Sequence, residues 1–183
     1  MSEKAKSPRR PYLQFGLPAL LLLVLALSGL LAWRINKAKQ QQASVAWVRQ
    51  VGGSVLYDYE VDANGTVSDN CRPPAPQWLT DPFGIDIFDE VVSVNLTNGA
   101  VRDLAPLQRL KRIQWLRLAY TEVSDLSPLG GITGMRNLDL AGTEVSDLSP
   151  LAGMADLRRL NIDHTAVSDL EPLAGMTRLE GFY

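Results

Sequence analysis

The sequence predicts a solenoid of short strand-bearing coils joined to one long apolar helix, and three observations carry that expectation. Residues 121–129 (TEVSDLSPL) recur without a change 22 residues later at 143–151, and with two changes, Ala166 and Glu171, at 165–173. A weaker copy, GAVRDLAPL, occupies 99–107. Upstream of each copy stands an alternating apolar pair: Val94 and Leu96, Leu116 and Leu118, Leu138 and Leu140, Leu160 and Ile162. Such alternation is the side-chain period of a strand. Finally, residues 11–33 carry no charge and are dominated by leucine.

The frame L-x-L-x-x-T-x-V-x-D-L-x-P-L resembles the leucine-rich repeat, and its D-L-x-P-L half is similar to the internalin-like bacterial subclass. The resemblance covers about half the chain and is stronger than any lone motif because it is repeated. It implies an α/β solenoid in which each unit adds one parallel strand to a concave sheet and returns along a convex side through turns or a short helix. The implied block is residues 93–183, four units and a partial fifth. One departure concerns the asparagine usual at the end of the strand. Here the position is Thr121, Thr143 and Thr165, with Gly99 in the first unit. A threonine hydroxyl can still bond the turning backbone, with fewer hydrogen bonds than an amide offers.

A 22-residue unit holds too little apolar area to fold alone, so each must cover its neighbour. The expected core is the ladder Leu116/Leu138/Leu160, Leu118/Leu140/Ile162, Val123/Val145/Val167, Leu126/Leu148/Leu170, Leu129/Leu151/Leu173 and Ile132/Met154/Met176. Met135 and Leu157 join it between strands.

From the start of the chain, residues 1–10 form a polar tail with Lys4, Lys6, Arg9 and Arg10. Residues 11–34 are expected to be a transmembrane helix. The uncharged 23 residues of 11–33 would span roughly 34 Å as a helix, enough for a bilayer core. Pro18 falls near its first turn, where a missing N–H does least harm, and Tyr12 and Trp33 mark its two ends as interfacial aromatics do. A cleaved signal peptide is the competing reading, but its apolar region is usually shorter, and residues 28–33 (SGLLAW) offer only a poor cleavage site. Four positive residues precede the span and Arg34, Lys37 and Lys39 follow it closely, a slight excess that favours an extracytoplasmic repeat block.

Residues 35–92 are expected to supply a juxtamembrane helix and an N-terminal cap. Residues 37–51 continue the span as a helix, with Ala46, Trp47 and Val51 among the contact candidates, and Gly52 and Gly53 end it. Residues 54–61 (SVLYDYEV) alternate as a strand, 62–65 read as a turn, and 71–76 are too proline-rich for regular structure. Trp78, Leu79, Phe83, Ile85, Ile87 and Phe88 stand just before the first repeat, well placed to cover its exposed rung. This order of anchor, GGSVLYDYE segment, entry strand and repeats is similar to a group of bacterial membrane-anchored leucine-rich-repeat proteins. That similarity implies architecture and membrane attachment rather than a mechanism.

Charge is unevenly placed. Residues 1–42 carry seven Lys/Arg against one Glu, 43–92 carry two against eight Asp/Glu, and 93–183 carry nine against eleven. An acidic globular part argues against nucleic acid as a partner, since phosphates need a basic face. Cys71 is alone, so it has no intramolecular disulfide. Asp103, Asp125, Asp147 and Asp169 form the most regular polar column. Each precedes L-x-P-L, where a carboxylate can accept N–H bonds at the start of a turn. Repulsion between rungs about 5 Å apart in water and the gain from a cap are of similar size, so no cation is required. His164 is the only histidine and stands on a narrow rung without an enclosure. With one Cys, one His and no glycine-rich phosphate loop, no catalytic residue, metal ligand or cofactor is expected. Asn64-Gly65-Thr66 and Asn95-Leu96-Thr97 match glycosylation sequons, which arise often by chance.

What remains is the concave face, whose columns would be Ser93/Trp115/Asn137/Arg159, Asn95/Arg117/Asp139/Asn161 and Thr97/Ala119/Ala141/Asp163, with Tyr120 and His164 along one margin. The candidate protein-binding residues are Trp115, Arg117, Asn137, Asp139, Arg159, Asn161 and Asp163. Exposed Trp and Arg are enriched at binding hot spots, while the alternative is a solvated sheet with one shielded Trp. A face roughly 20 Å long falls short of a standard interface, so a single copy should bind weakly, helped by confinement to a bilayer. Phe182 and Tyr183 fall inside a fifth strand, whose open edge could pair weakly with another copy. The expected function is protein–protein contact through the concave face. A structural, envelope-organising protein without a specific ligand, possibly a shortened relative of longer repeat proteins, is the alternative.

Overall fold

The computed structural model describes residues 17–62, 67–68 and 71–183; Tyr12, the start of the expected span, most of the turn at 62–65 and the sequon at Asn64 lie outside the described residues. The chain forms two compact units, one ending at Ile35 and the other Asn36–Tyr183. A single helix, α1 (Leu17–Gln50), contributes residues to both.

In the first unit, α1 is apolar around its whole circumference. Leu20 to Val24, Leu25, Leu27, Leu30 and Leu31 are all more than half exposed, and so is Trp33. The Ser28 hydroxyl donates to the Leu25 carbonyl at 2.9 Å, so this polar side chain is satisfied inside the helix. Among the described residues this is the one helix long and apolar enough to cross a membrane, with a mean hydropathy of 2.0 in its most apolar window.

The second unit is built on a six-stranded sheet in chain order: β1 (Ser54–Tyr57), β2 (Val91–Asn95), β3 (Trp115–Arg117), β4 (Asn137–Asp139), β5 (Arg159–Asn161) and β6 (Gly181–Phe182). β1 lies antiparallel to β2, and every later pair is parallel. Leu116 opposes Leu138 and Leu138 opposes Leu160, so the register equals the sequence repeat. The chain returns through 3-10 turns at Ala105–Arg109, Ser127–Leu129, Ser149–Leu151 and Glu171–Leu173. Each has proline in its first turn, where the missing N–H would have no helical partner. The leucine-rich-repeat expectation of a parallel sheet with turn-built returns is therefore met.

Side chains from strands and returns meet between the two faces. Leu118, Val123, Leu129, Ile132, Met135, Leu140, Val145, Leu151 and Leu157 are without exposure, and Leu116, Leu126, Leu138 and Leu148 nearly so. The last rung departs from the expected ladder. Leu170 is 46% exposed, and Ile162, Val167 and Leu173 are only partly buried. Among the described residues β6 follows them without a further convex return packed on their outer sides.

The first rung is covered chiefly by the second half of α1 and by β1. Ala38, Val45 and Val48 are buried, with Trp47 and Val51 packed against the core, whereas Ala46 faces solvent. Gly52, at φ +81°, turns the chain out of the helix. A Cβ on Gly53 would lie 2.6 Å from Leu96 and 2.7 Å from the Asn95 carbonyl, so helix and sheet approach this closely only over glycine. The two buried polar side chains of α1, Ser44 and Gln41, are satisfied. Ser44 Oγ donates to the Pro106 carbonyl at 2.7 Å, and Gln41 Nε2 donates to Asp86 Oδ1 and the Asp89 carbonyl, both at 2.9 Å. The Tyr57 hydroxyl donates to Asp86 at 3.1 Å; burial, then the Asp86 charge, holds this phenol well above its ordinary range.

Two cap expectations are corrected. The strand expected over 54–61 stops at Tyr57 and becomes a 3-10 turn, Asp58–Glu60, because the Tyr57 N–H bonds the Glu60 carboxylate instead of a ladder partner. Residues around Trp78 form a helix, α2 (Gln77–Phe83), and Trp78 is 73% exposed instead of covering a rung. The side chains of Phe83 and Ile87 lie outside the described residues; Ile85 does pack on the core.

Candidate functional site

β3, β4 and β5 set their alternate side chains into one open groove of about 320 Å³ lined by Trp115, Arg117, Asn137, Asp139, Arg159 and Asn161, with Tyr183 at one side. Register fixes the rows: Trp115, Asn137 and Arg159 face across neighbouring strands, as do Arg117, Asp139 and Asn161. Six of the seven expected residues are thus brought together. Asp163 is exposed but stands beyond the groove lining.

Trp115 does not project into solvent. It is 9% exposed, with the Arg136 guanidinium 5.9 Å from its ring centroid. A cation over an indole face is attracted by the ring's quadrupole and shields it from water, so Trp115 serves as floor rather than free anchor. Sequence reading missed Arg136, which immediately precedes β4 and so falls outside the alternating strand positions. Tyr183, expected inside a fifth strand with an open edge, also lines the groove.

Exits from the strands explain part of the second row. The Thr97 N–H donates to Asn95 Oδ1 at 3.0 Å, the Ala141 N–H to Asp139 Oδ1 at 3.2 Å, and the Asp163 N–H to Asn161 Oδ1 at 3.0 Å. One oxygen of each residue therefore closes its own turn. Arg117, which has no acceptor, is the member of this row that cannot. The next positions, Asn98, Tyr120, Gly142 and His164, all adopt left-handed backbone, at φ +59°, +57°, +65° and +55°. Asn and Gly enter this region readily, while tyrosine does so at a cost. Tyr120 is 62% exposed, and its ring lies where a Cβ on Gly142 would meet it at 2.6 Å.

The threonine departure is also accounted for. Thr121 and Thr143 Oγ1 donate to the Leu118 and Leu140 carbonyls at 2.6 Å, and Thr165 Oγ1 to Ile162 at 2.7 Å. Thr121 and Thr143 are buried.

On the convex side, the backbone N–H groups of Ala105, Ser127, Ser149 and Glu171 donate to Asp103, Asp125, Asp147 and Asp169 at 2.8 to 2.9 Å. Hydrogen bonds from the Ser127 and Ser149 hydroxyls, then from their N–H groups, hold Asp125 and Asp147 below the usual carboxylate range. These carboxylates are committed to their own turns, which is the capping role expected of them. Among the described residues, no group of three or more His, Cys, Asp or Glu is placed to hold a metal ion.

No family model and no curated protein matches the chain. Among solved structures it is similar to internalin C2 of Listeria monocytogenes, at 28% identity and a TM-score of 0.48 over 49% of this chain and 39% of that one. It is also similar to an internalin (inlF) of the same organism, at 38% identity and a TM-score of 0.42 over 43% of this chain and 23% of that one. A leucine-rich-repeat protein of Leptospira interrogans matches at 18% identity and a TM-score of 0.40 over 45% of this chain and 22% of that one. The chain spans under two fifths of the length of each. Its 22-residue frame, parallel in-register strands and proline-started 3-10 returns are those of a leucine-rich-repeat solenoid, and the frame resembles that of the internalin-like type.

Proposed function

We propose that the chain is a single-pass membrane-anchored recognition module that binds a protein through its concave groove, with the repeats on the extracytoplasmic side. The observation that carries the binding half is the open groove across β3, β4 and β5, which gathers polar and aromatic side chains on a rigid sheet. The apolar circumference of α1 supports the anchor. Its nine exposed Leu and Val side chains are each worth about 1 kcal/mol when covered by lipid, roughly 10 kcal/mol together.

A photoreactive residue at Asn137 in the groove, compared with one at Ser149 on the convex return, tests the reading in native membranes. A discrete adduct from Asn137 and none from Ser149 is expected. Adducts of equal pattern from both faces, or from neither, would favour an envelope-organising role without a specific ligand. Retention in the pellet after alkaline carbonate extraction tests the anchor, and protease access to the repeats in intact cells tests their side.

A further inference from the structure

The groove's cations are less satisfied than its other groups. Among the described residues, Arg102 pairs with Glu122, Arg112 with Glu90 at 3.4 Å, and Arg178 with Asp156 at 2.6 Å. Arg117, Arg136 and Arg159 have no carboxylate within ion-pair distance there. Asp139 is the one acidic side chain in the lining, and its Oδ1 already accepts the Ala141 N–H. A guanidinium presents a planar fork of donors that matches a carboxylate in two parallel hydrogen bonds. Here three forks border a groove whose floor is an indole and whose other polar side chains are the Asn137 and Asn161 amides, the Asp139 carboxylate and the Tyr183 phenol.

Resting on the concave-face reading above, we propose that the groove's occupant is an extended acidic protein segment whose carboxylates are taken by Arg117 and Arg159. The spacing selects the segment. Arg159 is in register with Trp115 through Asn137, and Arg117 lies two residues further along β3. Two inter-strand steps and two residues along a strand put their Cα atoms roughly 12 Å apart, a span that extended chain covers in three or four residues. The fitting ligand therefore carries acidic side chains three or four residues apart. Arg136 is held over the Trp115 ring at the groove margin and adds a third donor without losing conformational freedom on binding. Nucleic acid does not fit as well: the repeat block holds nine Lys/Arg against eleven Asp/Glu, and the groove is only about 10 Å, or two inter-strand steps, across.

The test uses the full chain in nanodiscs of neutral lipid, with a short fluorescent peptide bearing glutamate at every fourth position and its lysine counterpart. Saturable binding of the glutamate peptide, weaker at high salt, and no binding of the lysine peptide are expected. Arg117→Ala with Arg159→Ala should weaken binding at least about tenfold, since each charge-assisted pair contributes about that factor. Arg102→Ala with Arg178→Ala, at paired and exposed positions off the groove, should leave it unchanged. All four arginines are exposed, so thermal melts should match wild type. Equal binding of both peptides, no binding, or indifference to the Arg117/Arg159 pair would overturn the acidic-ligand inference. If the Asn137 adduct in membranes persists in such a case, the concave-face reading still stands; if that adduct is absent while the glutamate peptide binds as expected, the natural protein partner is what fails, and the groove's chemistry holds.

Discussion

The two faces of the solenoid use polar side chains in opposite ways. On the convex face the same residue type recurs in every rung, and each copy is spent on its own backbone: Asp103, Asp125, Asp147 and Asp169 all accept an N–H two residues on. On the concave face the residue changes from rung to rung, Trp115 to Asn137 to Arg159 and Arg117 to Asp139 to Asn161, and the arginines are left without a carboxylate. Strict repetition with saturated hydrogen bonding marks structure, because every coil needs the same turn. Variation with unspent donors marks a surface that is not required for folding.

The largest effect that separates the faces comes from the layer both depend on. Leu129→Ala, at a position without exposure, should cost about 3 kcal/mol, as deletion of a buried leucine leaves a cavity between two rungs. Leu170→Ala, nearly half exposed, should cost about 1 kcal/mol or less. Chemical denaturation of the two variants measures the gap. Equal costs would show that the last rung is covered after all.

Thr143→Val comes next. It keeps shape and β-branching but removes the donor to the Leu140 carbonyl. That carbonyl still accepts the Thr143 N–H at 3.1 Å, so the expected loss is about 1 kcal/mol, with no change in peptide binding. A loss of binding instead would tie the strand exits to the groove and weaken the division between faces.

Acid titration reaches the convex turns. Asp125 and Asp147 have folded-state values depressed below the ordinary 3.8 by the serine hydroxyl and N–H bonds. Their contribution is therefore fully present above that value and is lost as pH falls through it toward the lower folded value. Wild type should lose more melting temperature between neutral pH and the acid range than a double Asp125→Asn, Asp147→Asn variant. Identical losses would mean that these carboxylates do not titrate with folding.

How far the sequence could be read follows the same line between repeated and unrepeated. The strands, returns, Asp turns and most of the core were legible because four rungs sample one physical requirement, and agreement among them removes ambiguity that a lone segment would leave. The cap occurs once. Its strand was overextended because the alternation of 54–61 continues past Tyr57, where the Glu60 carboxylate captures a backbone N–H and ends the ladder. Trp78 was assigned to the first rung on hydrophobicity alone, yet α1 already covers that rung through Val45 and Val48. In the groove, strand alternation places six of the seven candidates in the lining, and of the two readings open for Trp115 it is the shielded one that the structure has, through a cation–π cover from Arg136 that comes from outside the alternating positions and leaves no periodic trace.

Tyr120 provides the finest test of the contrast, because it sits where the repeat's demand and its residue disagree. Every rung exits its strand through a left-handed residue, and the column reads Asn98, Tyr120, Gly142, His164. For a bulky side chain that backbone costs on the order of 1 kcal/mol, partly offset here by the ring lying across Gly142. Asparagine meets the same geometry at lower cost, so Tyr120→Asn should leave stability unchanged or raise it by up to about 1 kcal/mol. If the variant also keeps full affinity for the glutamate peptide, the tyrosine belongs to neither the fold nor that groove. If affinity falls while stability holds, the strained ring is a side wall of the binding surface, and the concave face extends past the strands to its margin. A clear loss of stability would instead place Tyr120 with the convex aspartates, as a residue spent on its own coil.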